Sequence, residues 1–139
     1  MNVRLFATRH SHAELFVHAV WTTKNRLALL GEDDLARIGT TTQKTARKMG
    51  AVVHAAGGTE DHVHVLARYR PDLAVSTLVR SMKASTSYIL RLEAGEFSWQ
   101  EGYAAFSVSM KDVSRVEAYI LGQEEHHATK NTWDDCEPG

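Results

Sequence analysis

Two histidines separated by one residue are the first side chains in this chain whose types and spacing could do chemistry. They are His62 and His64 in the segment DHVHVLA, where apolar side chains alternate as in a β-strand. Side chains at positions i and i+2 of a strand leave from the same face, with origins about 6.6 Å apart. Two imidazoles could therefore converge on one metal ion, although two ligands alone do not make a site. The alternative is that both are polar residues on a solvated sheet face.

The neighbours of the histidine pair indicate how the strand is oriented. Leu66 and Arg68 share the face of His62 and His64. The opposite face carries apolar residues that we expect to pack against helices: Val63, Val65 and Ala67. The pattern therefore predicts that the pair lies on an open sheet surface, where a large substrate could reach a bound ion.

A second candidate pair lies in the segment RVEAYILGQEEHH near the end of the chain. Tyr119 and Gln123 are four residues apart, so on a helix they lie one above the other. The amide oxygen of Gln123 could ligate an ion while the phenol of Tyr119 acts as a nucleophile beside it. The alternative is that Tyr119 belongs to the packing edge of an amphipathic helix, beside Val116 and Ile120.

Hydrophobic periodicity predicts seven elements in the order strand, helix, strand, strand, helix, strand, helix. The first strand is apolar on both faces, which is typical of a central position in a sheet. The glycines at 57 and 58 are expected to form the turn of a hairpin. The order matches the ferredoxin-like, RRM-like α+β fold: an antiparallel sheet with helices on one face, plus a C-terminal helix carrying the tyrosine. The predicted strands are 13–23, 51–56, 61–69 and 103–110. The predicted helices are a segment from Leu35 to Met49 that follows the acidic residues at 32–34 and is closed by Gly50, then 76–92, and, from an N-cap at Asp112, 113 to about 127.

The composition is that of one globular domain. The 139 residues are 43% hydrophobic and 24% charged, which are ordinary values for a folded chain. We expect a single domain over residues 1–139, with an ordered core at about 10–127 and a loose tail at 128–139. The single cysteine and the lack of a signal-type segment or long apolar run predict a cytoplasmic protein. The net charge of −1 excludes an overall basic surface, so any nucleic-acid contact must be local.

Three blocks together resemble a known family. They are HSHAELFVHAVWTTKNR, DHVHVLARYRPDLAVSTLVRSMKASTSYIL and WQEGYAAFSVSMKDVSRVEAYILGQEEHH, in that order, and they cover about residues 10–127. The set is similar to the single-tyrosine HUH transposases, the TnpA-type enzymes of the insertion-sequence 200/605 class and their REP-associated relatives. The histidine pair alone is weakly specific, whereas the three ordered blocks are strongly so.

The resemblance implies roles for the candidate residues. His62 and His64 would bind a divalent ion, Mg²⁺ or Mn²⁺, with Gln123 completing its coordination. Tyr119 would attack a phosphodiester, giving a 5′-phosphotyrosine and a free 3′-hydroxyl, and strand transfer would follow. Family members are typically homodimers, in which the tyrosine helix of one subunit can complete the partner's site. Their substrate is single-stranded DNA with hairpin ends, and we expect the same partners here.

Phosphate and base contacts are expected from a local basic cluster. A strand of nucleic acid is held by cationic side chains along its backbone and by aromatic rings under its bases. As DNA-binding candidates we therefore take Lys24, Arg26, Arg80, Lys83 and Arg91 for phosphates, and Trp99 or Tyr103 for base stacking.

Two alternatives remain open at this stage. The chain ends soon after the tyrosine helix, where many relatives continue, which would suit a catalytically degenerate or domesticated protein that binds hairpin DNA. The second alternative is a non-catalytic RNA-binding module, because the RRM has the same βαββαβ order. RRMs read bases with aromatic residues on their central strands, however, and this chain has histidines there.

Overall fold

The computed structural model describes residues 12–122. Over this range the chain forms four strands and three α-helices, with short 3₁₀ turns at Lys24–Arg26 and Met110–Asp112. The elements, in chain order, are β1 (Leu15–Thr22), α1 (Glu32–Lys48), β2 (Val52–Gly58), β3 (His62–Tyr69), α2 (Val75–Ala94), β4 (Ala104–Val108) and α3 (Val113–Leu121).

The four strands form one sheet in the order β2-β3-β1-β4, and every neighbouring pair is antiparallel. This topology is the predicted ferredoxin-like one. β1 is central, as its apolar side chains on both faces indicated. Its register with β3 sets His18 opposite Leu66, Val20 opposite His64 and Thr22 opposite His62.

One face of the sheet is covered by α1 and α2. The main hydrophobic core lies between these two helices and the sheet. It includes Val17 and Trp21 of β1, Val63 and Val65 of β3, and Met82 of α2. The predicted division of β3 into a helix-packed face and a histidine face is therefore confirmed. α1 begins with three acidic residues, and the Gly31 N–H donates to Asp34 Oδ2 over 2.9 Å, as expected for a helix N-terminus.

The histidine face is covered too, which contradicts the expected open surface. α3 lies across it, where its Val116, Tyr119 and Ile120 form a second core with Phe16 and Leu66. The relative exposure of His62 is 1% and that of His64 is 0%. The physical reason is that α3 has an apolar stripe to bury, and Phe16 and Leu66 make this face apolar enough to receive it.

The hairpin between β2 and β3 turns later than predicted. β2 continues through Gly58, and the turn is made by residues 59–61, where the Thr59 N–H donates to the His62 carbonyl over 3.0 Å. A Cβ on Gly58 would lie 2.2 Å from that same carbonyl oxygen. The glycine is therefore required by the close approach of two strands, and not by a turn conformation.

The last helix was predicted to reach about residue 127. α3 ends at Leu121, and the remainder of that span, including Gln123, lies outside the described residues. Among residues 12–122, no helix combines the length and the apolar composition needed to span a bilayer.

Candidate active site

His62 and His64 lie side by side on β3, beneath α3. Their ring centroids are 5.1 Å apart and the ring planes make an angle of 68°. The sequence predicted this adjacency from the two-residue spacing, and the structure confirms that both rings share one face. Because both side chains are buried, their polar atoms need partners within the protein.

His62 is held through its Nδ1 atom. This nitrogen lies 2.7 Å from Asp61 Oδ1 and 3.0 Å from Thr59 Oγ1. Burial would raise the pKa of Asp61, but the hydrogen bond from His62 and the charge of Arg26, 3.4 Å from Oδ2, hold that pKa below its usual value. A charged Asp61 accepts a hydrogen bond from Nδ1–H, so the neutral imidazole of His62 has its lone pair on Nε2. That nitrogen is the one suited to ligate a metal.

A third imidazole contacts the pair. His18 of β1 is 1% exposed, and its Nε2 atom lies 2.8 Å from His64 Nδ1. His18 is not among the candidate site residues taken from the sequence. The alternation of β1 does place it on the same face as Phe16 and Val20, but its contact with His64 depends on the pairing of β1 with β3, which the sequence pattern does not specify.

Tyr119 lies over these imidazoles from the same chain. Its ring centroid is 5.7 Å from that of His64 and 6.3 Å from that of His18, with near-perpendicular ring planes in both pairs. Tyr119 is 3% exposed. The structure therefore brings together the predicted nucleophile and the predicted metal ligands, while Gln123 falls beyond the described range.

The described residues fit a divalent ion only in part. His62 offers Nε2, and His64 does so as well if its Nδ1 donates to His18. Within residues 12–122, however, no group of three or more His, Cys, Asp and Glu side chains is arranged to hold a metal ion. Two imidazoles are too few for a closed site, so further ligands would have to come from substrate oxygens, water or a residue outside this range.

The second predicted set of residues converges on a groove. Between α2 and residues 98–103 lies a groove of about 680 Å³. We call it the α2 groove. Six of the DNA-binding candidates line it: Lys24, Arg80, Lys83, Arg91, Trp99 and Tyr103. Arg26 does not line it, and its guanidinium lies 3.4 Å from Asp61 Oδ2.

Two of these candidates build the wall of the α2 groove. Lys83 Nζ donates to the carbonyls of Gln100 and Gly102 over 2.8 and 2.7 Å, and burial lowers the pKa of this amine. Trp99 Nε1 donates to the Lys83 carbonyl and to Thr86 Oγ1, both over 3.1 Å. Tyr103, in contrast, is 42% exposed. Its ring is therefore better placed than that of Trp99 to meet a base.

One backbone hydrogen bond links the wall of the α2 groove to the strand pair that carries the histidines. The Gln100 N–H in the groove wall donates to the Thr22 carbonyl over 2.9 Å. Thr22 is paired with His62 across the two central strands. The groove wall is thus joined through the backbone to the strand pair that carries the histidines, although α2 and the histidines lie on opposite faces of the sheet.

The comparisons with known proteins agree with this arrangement. The family model described as "Transposase IS200 like" matches residues 11–123. The chain therefore belongs to the IS200-like transposase family, and the resemblance to TnpA-type transposases is confirmed. Among curated proteins the comparison finds no match.

Two solved structures share the fold. One is a provisionally assigned transposase from Deinococcus radiodurans R1, with a TM-score of 0.68 at 21% identity, covering 84% of this chain and 96% of the other. The second is a REP-associated tyrosine transposase bound to a REP hairpin, with a TM-score of 0.64 at 17% identity, covering 87% and 73%. At these identities the likeness establishes the fold of a tyrosine transposase and nothing finer.

Proposed function

We propose that this chain is a metal-dependent transposase that cleaves and rejoins single-stranded DNA through Tyr119. The observation that carries the proposal is the contact between Tyr119 and His64, whose ring centroids are 5.7 Å apart although the residues come from different elements. In this proposal His62 and His64 hold a Mg²⁺ or Mn²⁺ ion, and Gln123 adds an amide oxygen. A bound ion would supply positive charge that polarises the phosphodiester and stabilises its transition state.

The proposed chemistry is an in-line displacement at phosphorus. The Tyr119 phenol loses its proton and its oxygen forms the new bond to phosphorus. The bond from phosphorus to the 3′-oxygen of the neighbouring nucleotide breaks, and that oxygen takes up a proton to become a free 3′-hydroxyl. The 5′-phosphotyrosine keeps the energy of the cleaved ester. The 3′-hydroxyl of a second strand can therefore displace Tyr119 and join new ends.

Substrate access constrains this mechanism. Both imidazoles and Tyr119 are almost fully buried, so α3 must move aside to admit a phosphodiester and then return to bring Tyr119 beside His64 for the attack. We also propose that the chain acts as a homodimer, in which α3 of one subunit could serve the partner's histidines. Sedimentation as a monomer under conditions that support cleavage would contradict the dimer.

The α2 groove is the proposed binding surface for DNA with hairpin ends. Its exposed cations, Lys24, Arg80 and Arg91, would contact phosphates, and the exposed ring of Tyr103 would stack on a base. Support comes from the convergence of these residues on one groove. A structural neighbour in complex with a REP hairpin is consistent with this partner.

A covalent adduct tests the catalytic proposal. Incubation with Mn²⁺ and hairpin-flanked single-stranded DNA should give a protein–DNA species that survives denaturation, and Tyr119→Phe should abolish it. Tyr88→Phe is the matched control, because Tyr88 lies 58% exposed on α2. An adduct that persists in Tyr119→Phe would contradict the assignment.

The second candidate function is a hairpin-binding relative without catalysis. It is favoured by the burial of the histidine pair and by the lack of a third ligand within residues 12–122. The adduct assay, run beside a native gel, separates the catalytic from the non-catalytic function. A non-catalytic relative would shift hairpin DNA in the native gel but form no adduct with any divalent ion.

A further inference from the structure

α3 contacts the sheet backbone at Gly57, the penultimate residue of β2. A Cβ built on Gly57 would lie 2.5 Å from the carbonyl oxygen of Ile120, and 3.4 Å from both the carbonyl carbon and Cγ2 of that residue. Real Cβ atoms do not approach a backbone oxygen this closely. Because the obstacle is main chain and not the flexible end of a side chain, any substituent here must displace α3.

Gly57 lies between a proposed metal ligand and the residue that follows the proposed nucleophile. In the pairing of β2 with β3 it lies opposite His64. Ile120, whose carbonyl rests on Gly57, directly follows Tyr119. One backbone contact therefore ties the residue beside the proposed nucleophile to the residue beside a proposed metal ligand.

The requirement at Gly57 is one of space and not of backbone conformation. The described glycines with positive φ are Gly50, Gly95 and Gly102, so Gly57 adopts a conformation that other residues can share. Alanine at this position would be tolerated by the β2 backbone itself. Its effect should come from the overpacked contact with α3.

We propose that Gly57 is a positioning residue: its missing side chain sets how close α3 sits to the sheet, and thereby brings Tyr119 to His64. The inference rests on the proposed function, in which Tyr119 must act beside that histidine. Beyond that function, we infer that Gly57, which has no side chain, controls the rate of cleavage only through the distance between α3 and the sheet.

Chemical accessibility of Tyr119 tests the positioning without requiring activity. Tetranitromethane nitrates exposed tyrosines, and Tyr88 and Tyr103 provide exposed internal references. Gly57→Ala should raise the nitration rate of Tyr119 by about tenfold or more, because overpacking shifts local opening by that order, while the references stay unchanged. Gly39→Ala is the matched control, since its Cβ would meet only the Ala56 Cβ at 4.0 Å.

Cleavage and binding should separate in the same variant. We expect Gly57→Ala to form the Tyr119 adduct at least about tenfold more slowly, with an unchanged dissociation constant for hairpin DNA, because the α2 groove lies away from Gly57. A general loss of fold would weaken both. The fluorescence of Trp21 and Trp99, which pack in the other core, reports such a loss.

The outcomes distinguish the inference from the function beneath it. If the wild-type protein forms no adduct, the proposed function fails. If the wild type is active and Gly57→Ala matches it in nitration and cleavage, Gly57 does not position α3. If Gly57→Ala loses the tryptophan signal together with Tyr119 protection, glycine is needed for the whole fold and the positioning role is overturned.

Discussion

Each histidine of the β3 pair has its Nδ1 atom bonded to a different neighbour. His62 has the carboxylate of Asp61 and His64 has the imidazole of His18. A ligating histidine whose other nitrogen is bonded in this way has a fixed ring orientation and a fixed tautomer. At the residue scale, His18 would therefore fix the ring orientation and tautomer of His64, as Asp61 fixes those of His62.

Removal of the His18 imidazole should weaken metal binding. In His18→Phe the ring volume and the packing near Phe106 are largely retained, but His64 loses the hydrogen bond to its Nδ1 atom. Loss of such an outer partner typically lowers metal affinity about 10- to 100-fold. Titration of the protein with Mn²⁺, followed by the EPR signal of free Mn²⁺, measures this dissociation constant.

A histidine in a similar aromatic setting provides the control for His18. His54 packs edge-on against Phe16, with ring centroids 5.6 Å apart, and burial lowers its pKa. His54→Phe should leave the Mn²⁺ affinity unchanged. Equal affinity in His18→Phe and the wild type would show that the contact with His64 does not orient a ligand.

At the element scale, the strands were more predictable than the packing of the helices on them. The alternation in β1 and β3 revealed which side chains share a face, because that property is local to each strand. The position of α3 was not revealed, since an apolar stripe shows that a helix must be buried but not against which surface. Gly57 and Gly58 were misread for a related reason: glycine marks close approach as well as turns.

The wall of the α2 groove makes a prediction about stability. Lys83→Met keeps the aliphatic stem but removes both hydrogen bonds to the carbonyls of Gln100 and Gly102. We expect a loss of about 1–2 kcal/mol in the free energy of unfolding, as for partly exposed hydrogen bonds from a charged donor. Urea denaturation monitored by tryptophan fluorescence measures it, because Trp99 anchors the same segment.

Lys44→Met on the exposed surface of α1 is the control for Lys83. Its stability should stay within about 0.5 kcal/mol of the wild type. If Lys83 supports the groove wall and neutralises no phosphate, Lys83→Met should also leave the salt dependence of DNA binding unchanged. A destabilisation no greater than that of Lys44→Met would contradict the role of Lys83 as a support for the groove wall.

At the scale of the whole molecule, a net charge of −1 coexists with a groove whose exposed rim is cationic. The composition predicted that any nucleic-acid surface must be local, and the arginines of α2 were among the candidates named from the sequence. The sequence could not predict that Lys24, Arg80 and Tyr103 line the same groove. Those residues lie far apart in the sequence, and only the folding of residues 98–103 back onto α2 brings them together.

The salt dependence of binding tests whether the α2 groove holds the DNA backbone. The slope of log K against log salt is about −0.7 per neutralised phosphate for single-stranded DNA and about −0.9 for duplex DNA, so Arg80→Ala with Arg91→Ala should make it less negative by about 1.4–1.8 for a hairpin with single-stranded flanks. Fluorescence anisotropy of labelled hairpin DNA at about 50–200 mM salt measures the slope. The matched control is Arg47→Ala with Lys48→Ala, which removes two cations from the last turn of α1. An equal change in both double variants would mean that the DNA responds to overall charge and does not occupy the groove.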